Sequence, residues 1–495
     1  MANTWFSILP PLLAIVLALW TRQVLLSLFI AIFVGASMVA GGPIQGFMDT
    51  LNKYLIGSLT DSWNVGILLF CLTIGGVIGI IDANGGTRGI ANIIIKRAKN
   101  AKSTLISTWL LGILIFFDDY ANSLIVGNTM RGITDRMGVS RAKLAYIVDS
   151  TAAPVSSMAL ISTWVGMELG LINTGLQDIG LDVGAYDIFL QSIPFRFYSV
   201  LALLFVVIVI VSGRDFGPMR RAEMEAKVIE HDEEVASSRK ERWYNAVLPI
   251  ASVILVTILG LFYNGGGFEG ASIQEAFSNA DASVVLIWAS ITGVIVASLL
   301  TKAQGILSVD EINTAFVDGV KSMVVPGMIL ALAWSLGSVN GDLNTARFLV
   351  DTIGTSVPAF LIPTMMFVLP ALVAFATGTS WGTNAIIMPI AIPLAFATGG
   401  QSLLVPTIGA VLTGAVLGDH ISPVSDTTIM SSMAAQCNHI EHVKTQLPYA
   451  LTVGTVAIFF GFIPAGLGVN PFISLALSTV TLILIMRFVG KPKEA

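Results

Sequence analysis

Gly418-Asp419-His420-Ile421-Ser422-Pro423-Val424-Ser425-Asp426-Thr427-Thr428 interrupts an apolar segment running from about residue 402 to 439. Two carboxylates, an imidazole, four hydroxyls and a proline fall within these eleven residues. Proline removes a backbone donor and breaks a helix. Each ionisable group at membrane depth costs about 2.5–3.5 kcal/mol on insertion scales, so such groups face a protein-lined cavity and mark an ion or substrate path. The stretch reads as an ion-binding site on a broken transmembrane helix.

The composition places that helix in a bilayer. The chain has 495 residues, of which 55% are hydrophobic and only 12% charged, with a mean hydropathy of +0.82. Soluble domains carry about 25% charged residues. Apolar runs such as residues 244–262 and 282–300 recur along the chain, and a bilayer core needs about 20 residues per helix. The fold class is an all-α polytopic membrane protein. Cys71 and Cys437 are too far apart for a disulfide framework and read as small core residues. The first apolar run lacks a basic leader and reads as a retained span. There is no phosphate loop, dinucleotide fingerprint or nucleophile motif, so neither an enzyme nor a nucleic-acid binder is expected, and no cofactor.

Three more apolar segments are interrupted in the same way. Asp118-Asp119-Tyr120-Ala121-Asn122-Ser123 interrupts residues 103–135, Asp149 to Ser157 interrupts 143–172, and Thr377 to Asn384 interrupts 357–398. Asp119-Tyr120-Ala121-Asn122 lines up with Trp381-Gly382-Thr383-Asn384, and Ala153-Pro154-Val155-Ser156 with Ser422-Pro423-Val424-Ser425. On that alignment Thr151 stands where His420 stands, and Ser157 where Asp426 stands. Weak internal symmetry with paired interrupted helices is the signature of an alternating-access transporter. The expected plan is a first repeat over 1–212, a charged cytoplasmic linker over 213–243, a second repeat over 244–470, and an extra span and tail over 471–495. Each repeat would hold a re-entrant hairpin (about 103–135 and about 357–398) and a broken helix (about 143–172 and about 402–439).

Charge placement orients the repeats. Lys96, Arg97, Lys99 and Lys102 precede the first hairpin, and Arg131, Arg136, Arg141 and Lys143 follow its tip. The positive-inside rule puts both its ends in the cytoplasm. The approaches to the second hairpin carry only Arg347, so it opens outside, which makes the repeats inverted. Lys444 and the tail residues Arg487, Lys491 and Lys493 place the C-terminus in the cytoplasm.

The four breaks would meet near the midplane, where unwound carbonyls and helix ends bind ions. Hard cations take oxygen ligands. Asp118, Asp119, Asp149, Asp419 and Asp426 are the candidates for ion and proton coupling. Asn122, Ser150, Thr151, Thr379, Ser380, Asn384, His420, Ser422 and Thr427 are candidates for binding Na+ or substrate, with Na+ itself assigned to Asp119, Asn122 and Asp426. Competition of Na+ and H+ for one carboxylate suffices for obligatory exchange. His420 reads as a neutral hydrogen-bonding residue, Tyr120 and Trp381 as packing plugs, and Cys437 to His442 as a cytoplasmic loop.

At these residues the sequence resembles the NhaC family of sodium/proton antiporters, through Phe117-Asp118-Asp119-Tyr120, Asp149-Ser150-Thr151-Ala152-Ala153-Pro154, Thr377-Gly378-Thr379-Ser380-Trp381-Gly382-Thr383, and Gly418-Asp419-His420 through Asp426-Thr427-Thr428. The likeness covers nearly the whole chain. That family is similar to malate/lactate antiporters and to proposed amino-acid transporters, within the ion-transporter superfamily. The resemblance implies an elevator-type transporter with scaffold and moving domain, a homodimer surrounded by membrane lipid in the inner (plasma) membrane. Its cargo would be a small cation, Na+ against H+. The alternative is Na+-coupled transport of a small organic acid or amino acid.

Overall fold

The computed structural model describes residues 4–492, apart from residues 22, 96–98, 229–240, 273–274, 277–278, 346–347, 349–356 and 424. Lys96, Arg97, Arg347, Lys493, Val424 and the middle of the charged linker lie outside the described residues. Among the described residues, nine helices are long and apolar enough to cross a membrane, and twelve if three bent pairs each count as one span. Hydrocarbon cannot hydrogen-bond a free backbone, so an apolar chain of this kind satisfies its own amides within helices. The helix Gln401–Ile421 is the most enclosed of the nine, with 89% of its apolar window buried, whereas Pro471–Phe488 is the least, at 22%. The first belongs to the protein core, and the second presents most of its surface outward.

Small residues let the helices approach closely, as packing without a hydrophobic drive requires. Ser62–Ala83 packs against Ala282–Ala303, Val309–Ser322 and Thr163–Asp178. A Cβ placed on Gly319 would lie 2.2 Å from the Gly75 carbonyl oxygen. Ile362–Thr377 lies along Gln401–Ile421, where a Cβ on Gly418 would sit 2.2 Å from the Ala371 carbonyl oxygen. Backbone meets backbone at both places.

Two helical segments were not legible as spans. Residues Pro43–Thr60 fold back from Val24–Ala40 at 118°, and the amphipathic Val309–Ser322 precedes the apolar Val324–Asp342, a 34-residue stretch in all. Both carry polar residues between their apolar ones, which hides them from a hydropathy reading. At the far end of the chain, Arg214–Asp215 pairs antiparallel with Lys491–Pro492, and Arg214 donates to the carbonyls of Arg487 and Gly490. The start of the linker and the tail therefore share one face of the protein.

The interruptions are narrower than the polar stretches. Ala101–Leu114 and Asp119–Arg136 turn at residues 115–118, so Asp119, Tyr120 and Asn122 are helical, not unwound. Ile362–Thr377 and Ser380–Gly399 turn at Gly378 and Thr379, where Gly378 adopts φ 72°, a backbone that favours glycine. Asn384 lies in the helix beyond. Arg141–Thr151 carries Asp149 within an intact helix; the chain kinks at Ala152, continues as Ala153–Met158, and opens only at residues 159–162. Gln401–Ile421 likewise carries Asp419 and His420 in its last turn and ends at Ile421, and the next helix begins at Asp426.

Pro154 and Pro423, matched in the sequence alignment, sit in different local settings. Pro154 lies in the first turn of a short helix that the second half lacks. Asp149, Asp419 and His420 stay within helices, and their side chains bond to Gln446, Thr427 and Tyr198.

Candidate functional site

Four helix N-termini meet at one cavity. They begin at Asp119, Thr163, Ser380 and Asp426, one from each interruption. Each is capped by the side chain before it: Asp118 accepts from Ala121 N at 2.7 Å, Ser162 from Trp164 N at 3.1 Å, Thr379 from Gly382 N at 3.4 Å and Ser425 from Thr428 N at 3.4 Å. Capping satisfies one of the amide groups a helix start leaves free. Each N-terminus carries about half a positive charge, which offsets the carboxylates gathered there.

The cavity has a volume of about 240 Å3. Asp119 and Tyr120 reach it from the first turn region, Thr379, Ser380 and Trp381 from the second. Thr163 and Trp164 come from the helix after residues 159–162, and Asp419 and Asp426 flank residues 422–425. Ser322 to Ile329 of the long apolar stretch close it. None of the lining residues is a lysine, arginine or histidine. Trp164 and Trp381 pack edge to face, with ring centroids 6.0 Å apart.

Of the residues expected to bind or couple ions, Asp119, Thr379, Ser380, Asp419 and Asp426 line this cavity. Tyr120 donates its hydroxyl to Asp426 Oδ2, and Thr427 N donates to Asp426 Oδ1 at 2.9 Å. Thr427 stands behind the lining, its hydroxyl 3.3 Å from Asp419 Oδ2. Asp118 points to a neighbouring cavity of about 500 Å3 that also holds Asp82 and Asp318; Tyr120 and Ser322 border both.

Other candidates hold the walls together. The Asn122 amide donates to the carbonyls of Gly112, Ile115 and Thr151, at 2.6, 3.0 and 3.0 Å. It clamps the first helical turn to its neighbour and does not line the cavity, although its Oδ1 has no hydrogen-bond partner. Asn384 is fully buried with both polar atoms unpartnered. Ser422 donates to the Phe375 carbonyl at 2.7 Å, tying the second break to the second hairpin. Thr151 bonds back to Ile147 and Val148 of its own helix, and Ser150 is buried beside it. His420 Nδ1 lies 3.0 Å from the Tyr198 hydroxyl, away from the cavity.

Asp149 is fully buried and organises a second polar centre. Its Oδ2 accepts from Gln446 at 2.6 Å and Thr428 at 3.1 Å, and His442 Nε2 lies 3.3 Å away. Its Oδ1 accepts from Ser431 at 3.4 Å. Gln446 also donates to the His420 carbonyl at 2.7 Å. Asp149 thus holds the half-helix Asp426–Ala434, which carries Asp426 and Thr427, against Arg141–Thr151 and His439–Val456.

Of the expected loop at Cys437 to His442, only Cys437 and Asn438 lie outside a helix; His439 to His442 form the first turn of His439–Val456. His442 was hidden because its segment is polar, and its partner lies 293 positions away. Among the described residues, no three His, Cys, Asp or Glu side chains form a group able to hold a metal ion.

A family model described as the Na+/H+ antiporter family matches residues 155–466. An uncharacterized protein of Haemophilus influenzae is 37% identical, over 99% of this chain and 96% of its own. An arginine/ornithine antiporter of Halobacterium salinarum is 26% identical over 46% of this chain and 42% of its own. A malate-2H+/Na+-lactate antiporter of Bacillus subtilis is 30% identical over 27% and 33%. The crystal structure of the YdaH transporter of Alcanivorax borkumensis shares the fold, with a TM-score of 0.60 at 15% identity over 89% of each chain.

Proposed function

The chain belongs to the Na+/H+ antiporter family, and on that premise we propose that this multi-pass secondary transporter exchanges Na+ for H+ by alternating access in the inner (plasma) membrane. The observation that carries the reading is the cavity where all four interruptions meet, with three carboxylates and no basic side chain. Carboxylates and hydroxyls are the ligands a hard cation selects. Na+ binds at one of the cavity carboxylates, Asp119, Asp419 or Asp426, with the Thr379 and Ser380 side chains on the same lining. Na+ and H+ that compete for one and the same carboxylate exclude each other, and that exclusion couples their exchange.

Two inverted repeats generate the site. In support, the helix after each broken segment packs on the hairpin of the other half: Asp426–Ala434 on Asp119–Arg136, and Thr163–Asp178 on Ser380–Gly399. Exchange by an elevator-like movement would carry these four elements together past the remaining spans. The linker and C-terminus are cytoplasmic, as their shared face supports, and a homodimer is the expected assembly.

The test is a proteoliposome assay in which a Na+ gradient is imposed and internal pH followed, with no organic solute present. Alkalinisation or acidification that follows the direction of the Na+ gradient is the expected result. An unchanged internal pH would refute simple exchange and favour the second reading, Na+-coupled carriage of an organic acid or amino acid. The names of the arginine/ornithine and malate/lactate relatives motivate that second arm.

A further inference from the structure

The cavity is larger and more apolar than a metal cation requires. At roughly 30 Å3 of liquid volume per water molecule, its volume of about 240 Å3 holds about eight waters. Asp119, Asp419 and Asp426 share it with the rings of Tyr120, Trp164 and Trp381 and with the apolar side chains of the 323–329 segment. Aromatic rings and aliphatic groups offer a hydrated Na+ nothing in exchange for its water. An alkylammonium ion uses both kinds of surface: carboxylates for the charge, and indole and phenol faces for cation–π contact.

The same surround disfavours a carboxylate on the ligand. A carboxylate-bearing solute needs a lysine, an arginine or open helix-start amides. The lining contains no lysine or arginine. One amide at each of the four helix starts is taken by its cap, Asp118, Ser162, Thr379 or Ser425, and the partial positive charge that remains there is already met by Asp119, Asp419 and Asp426.

We propose that this cavity also accepts a small organic ammonium ion that lacks a carboxylate, carried in place of Na+. The proposal rests on the reading of the cavity as the transport site, and it names a cargo class for that site. The ammonium group sits among the three carboxylates, and its alkyl part lies against Trp164, Trp381 and the 323–329 segment.

Tetramethylammonium is the probe, because its fixed charge prevents it from crossing a bilayer as a neutral base. In proteoliposomes of the full chain, tetramethylammonium and ethylammonium should inhibit labelled Na+ uptake competitively, raising the apparent KM without lowering the maximal rate. Labelled tetramethylammonium should enter vesicles preloaded with Na+, while lactate and glycine do not compete. Trp381→Leu should lower the preference for tetramethylammonium over Na+ by about 3- to 30-fold, the range that a cation–π contact supplies, and Trp381→Phe should restore most of it.

Failure of both amines to compete, or equal competition by lactate or glycine, overturns the proposal. An equal preference in Trp381→Leu and the parent overturns the aromatic contact on which it depends. The Na+/H+ reading is scored separately, by the Na+-driven pH change in vesicles without amine. Amine uptake in vesicles that lack that pH change would still support this proposal.

Discussion

Glu168→Gln should destabilise the protein by about 3–5 kcal/mol, the usual cost of leaving one partner of a buried ion pair unpaired. Glu168 and Arg196 are both fully buried. The two guanidinium nitrogens donate to the two carboxylate oxygens at 3.1 and 2.7 Å. Arg196 also donates to the Ser157 carbonyl and to Ser192, and packs 4.9 Å from the centre of the Phe189 ring. It therefore joins three places: the helix after the first break, the end of the short helix Ala153–Met158, and the start of Phe197–Ser212. In Glu168→Gln those remaining contacts keep the guanidinium charged and in place, but with no carboxylate opposite.

The pair Glu168→Leu with Arg196→Met removes both charges at similar volume and should recover all but about 1–2 kcal/mol, because apolar replacements of buried pairs are often near neutral. The remainder reflects the Ser157 carbonyl left without its donor. Reversible unfolding in mixed micelles, followed by tryptophan fluorescence, measures both variants against the parent. A single variant within about 1 kcal/mol of the parent, or a double variant less stable than the single one, would refute the ion pair as a structural joint of the first break.

Further outcomes follow from the site. Asp119→Asn and Asp426→Asn should each raise the Na+ KM at least tenfold, which corresponds to about 1.4 kcal/mol; unchanged Na+ dependence in both, measured by labelled-ion uptake, removes the site assignment. In the parent, one-for-one competition should raise the apparent Na+ KM about tenfold per unit of acidification once the pH falls below that of half-protonation; a KM that stays flat down to about pH 4, the ordinary carboxylate range, contradicts a shared carboxylate. Tyr120→Phe keeps the ring but removes the hydroxyl that competes with a cation for Asp426, so the Na+ KM should fall several-fold, and a rise would show that the hydroxyl itself is a ligand. Gly319→Ala should destabilise by about 1–3 kcal/mol, as overpacking does, since its Cβ would overlap backbone at Gly75; a parent-like unfolding midpoint would show that these helices can separate. Asp149→Asn loses charge-assisted bonds each worth about 1.5–3 kcal/mol, and should lower both stability and the maximal rate more than the Na+ KM; the reverse pattern in kinetic assays would place Asp149 among the ligands.

Much of this protein was readable from its sequence because a bilayer punishes polarity. Carboxylates and hydroxyls inside apolar runs marked all four interruptions, and five of the expected residues, Asp119, Thr379, Ser380, Asp419 and Asp426, line one cavity. Hydropathy also settled the helical fold class, since no other open chain satisfies its backbone in hydrocarbon.

What it could not determine was where each helix ends and which distant side chains meet. Asp149, Asp419 and His420 read as unwound chain, yet they remain helical because Gln446, Thr427 and Tyr198 stand ready to bond them. His442 lies in a polar segment that looks like a solvated loop until its helix packs against Asp149. Tyr120 looked like a plug until Asp426, 306 positions away, was found on its hydroxyl. Local sequence reports the cost of placing a polar group in the membrane. Only tertiary packing decides which partner offsets that cost, because the partners lie hundreds of residues apart and meet only when the two halves of the chain close around one cavity.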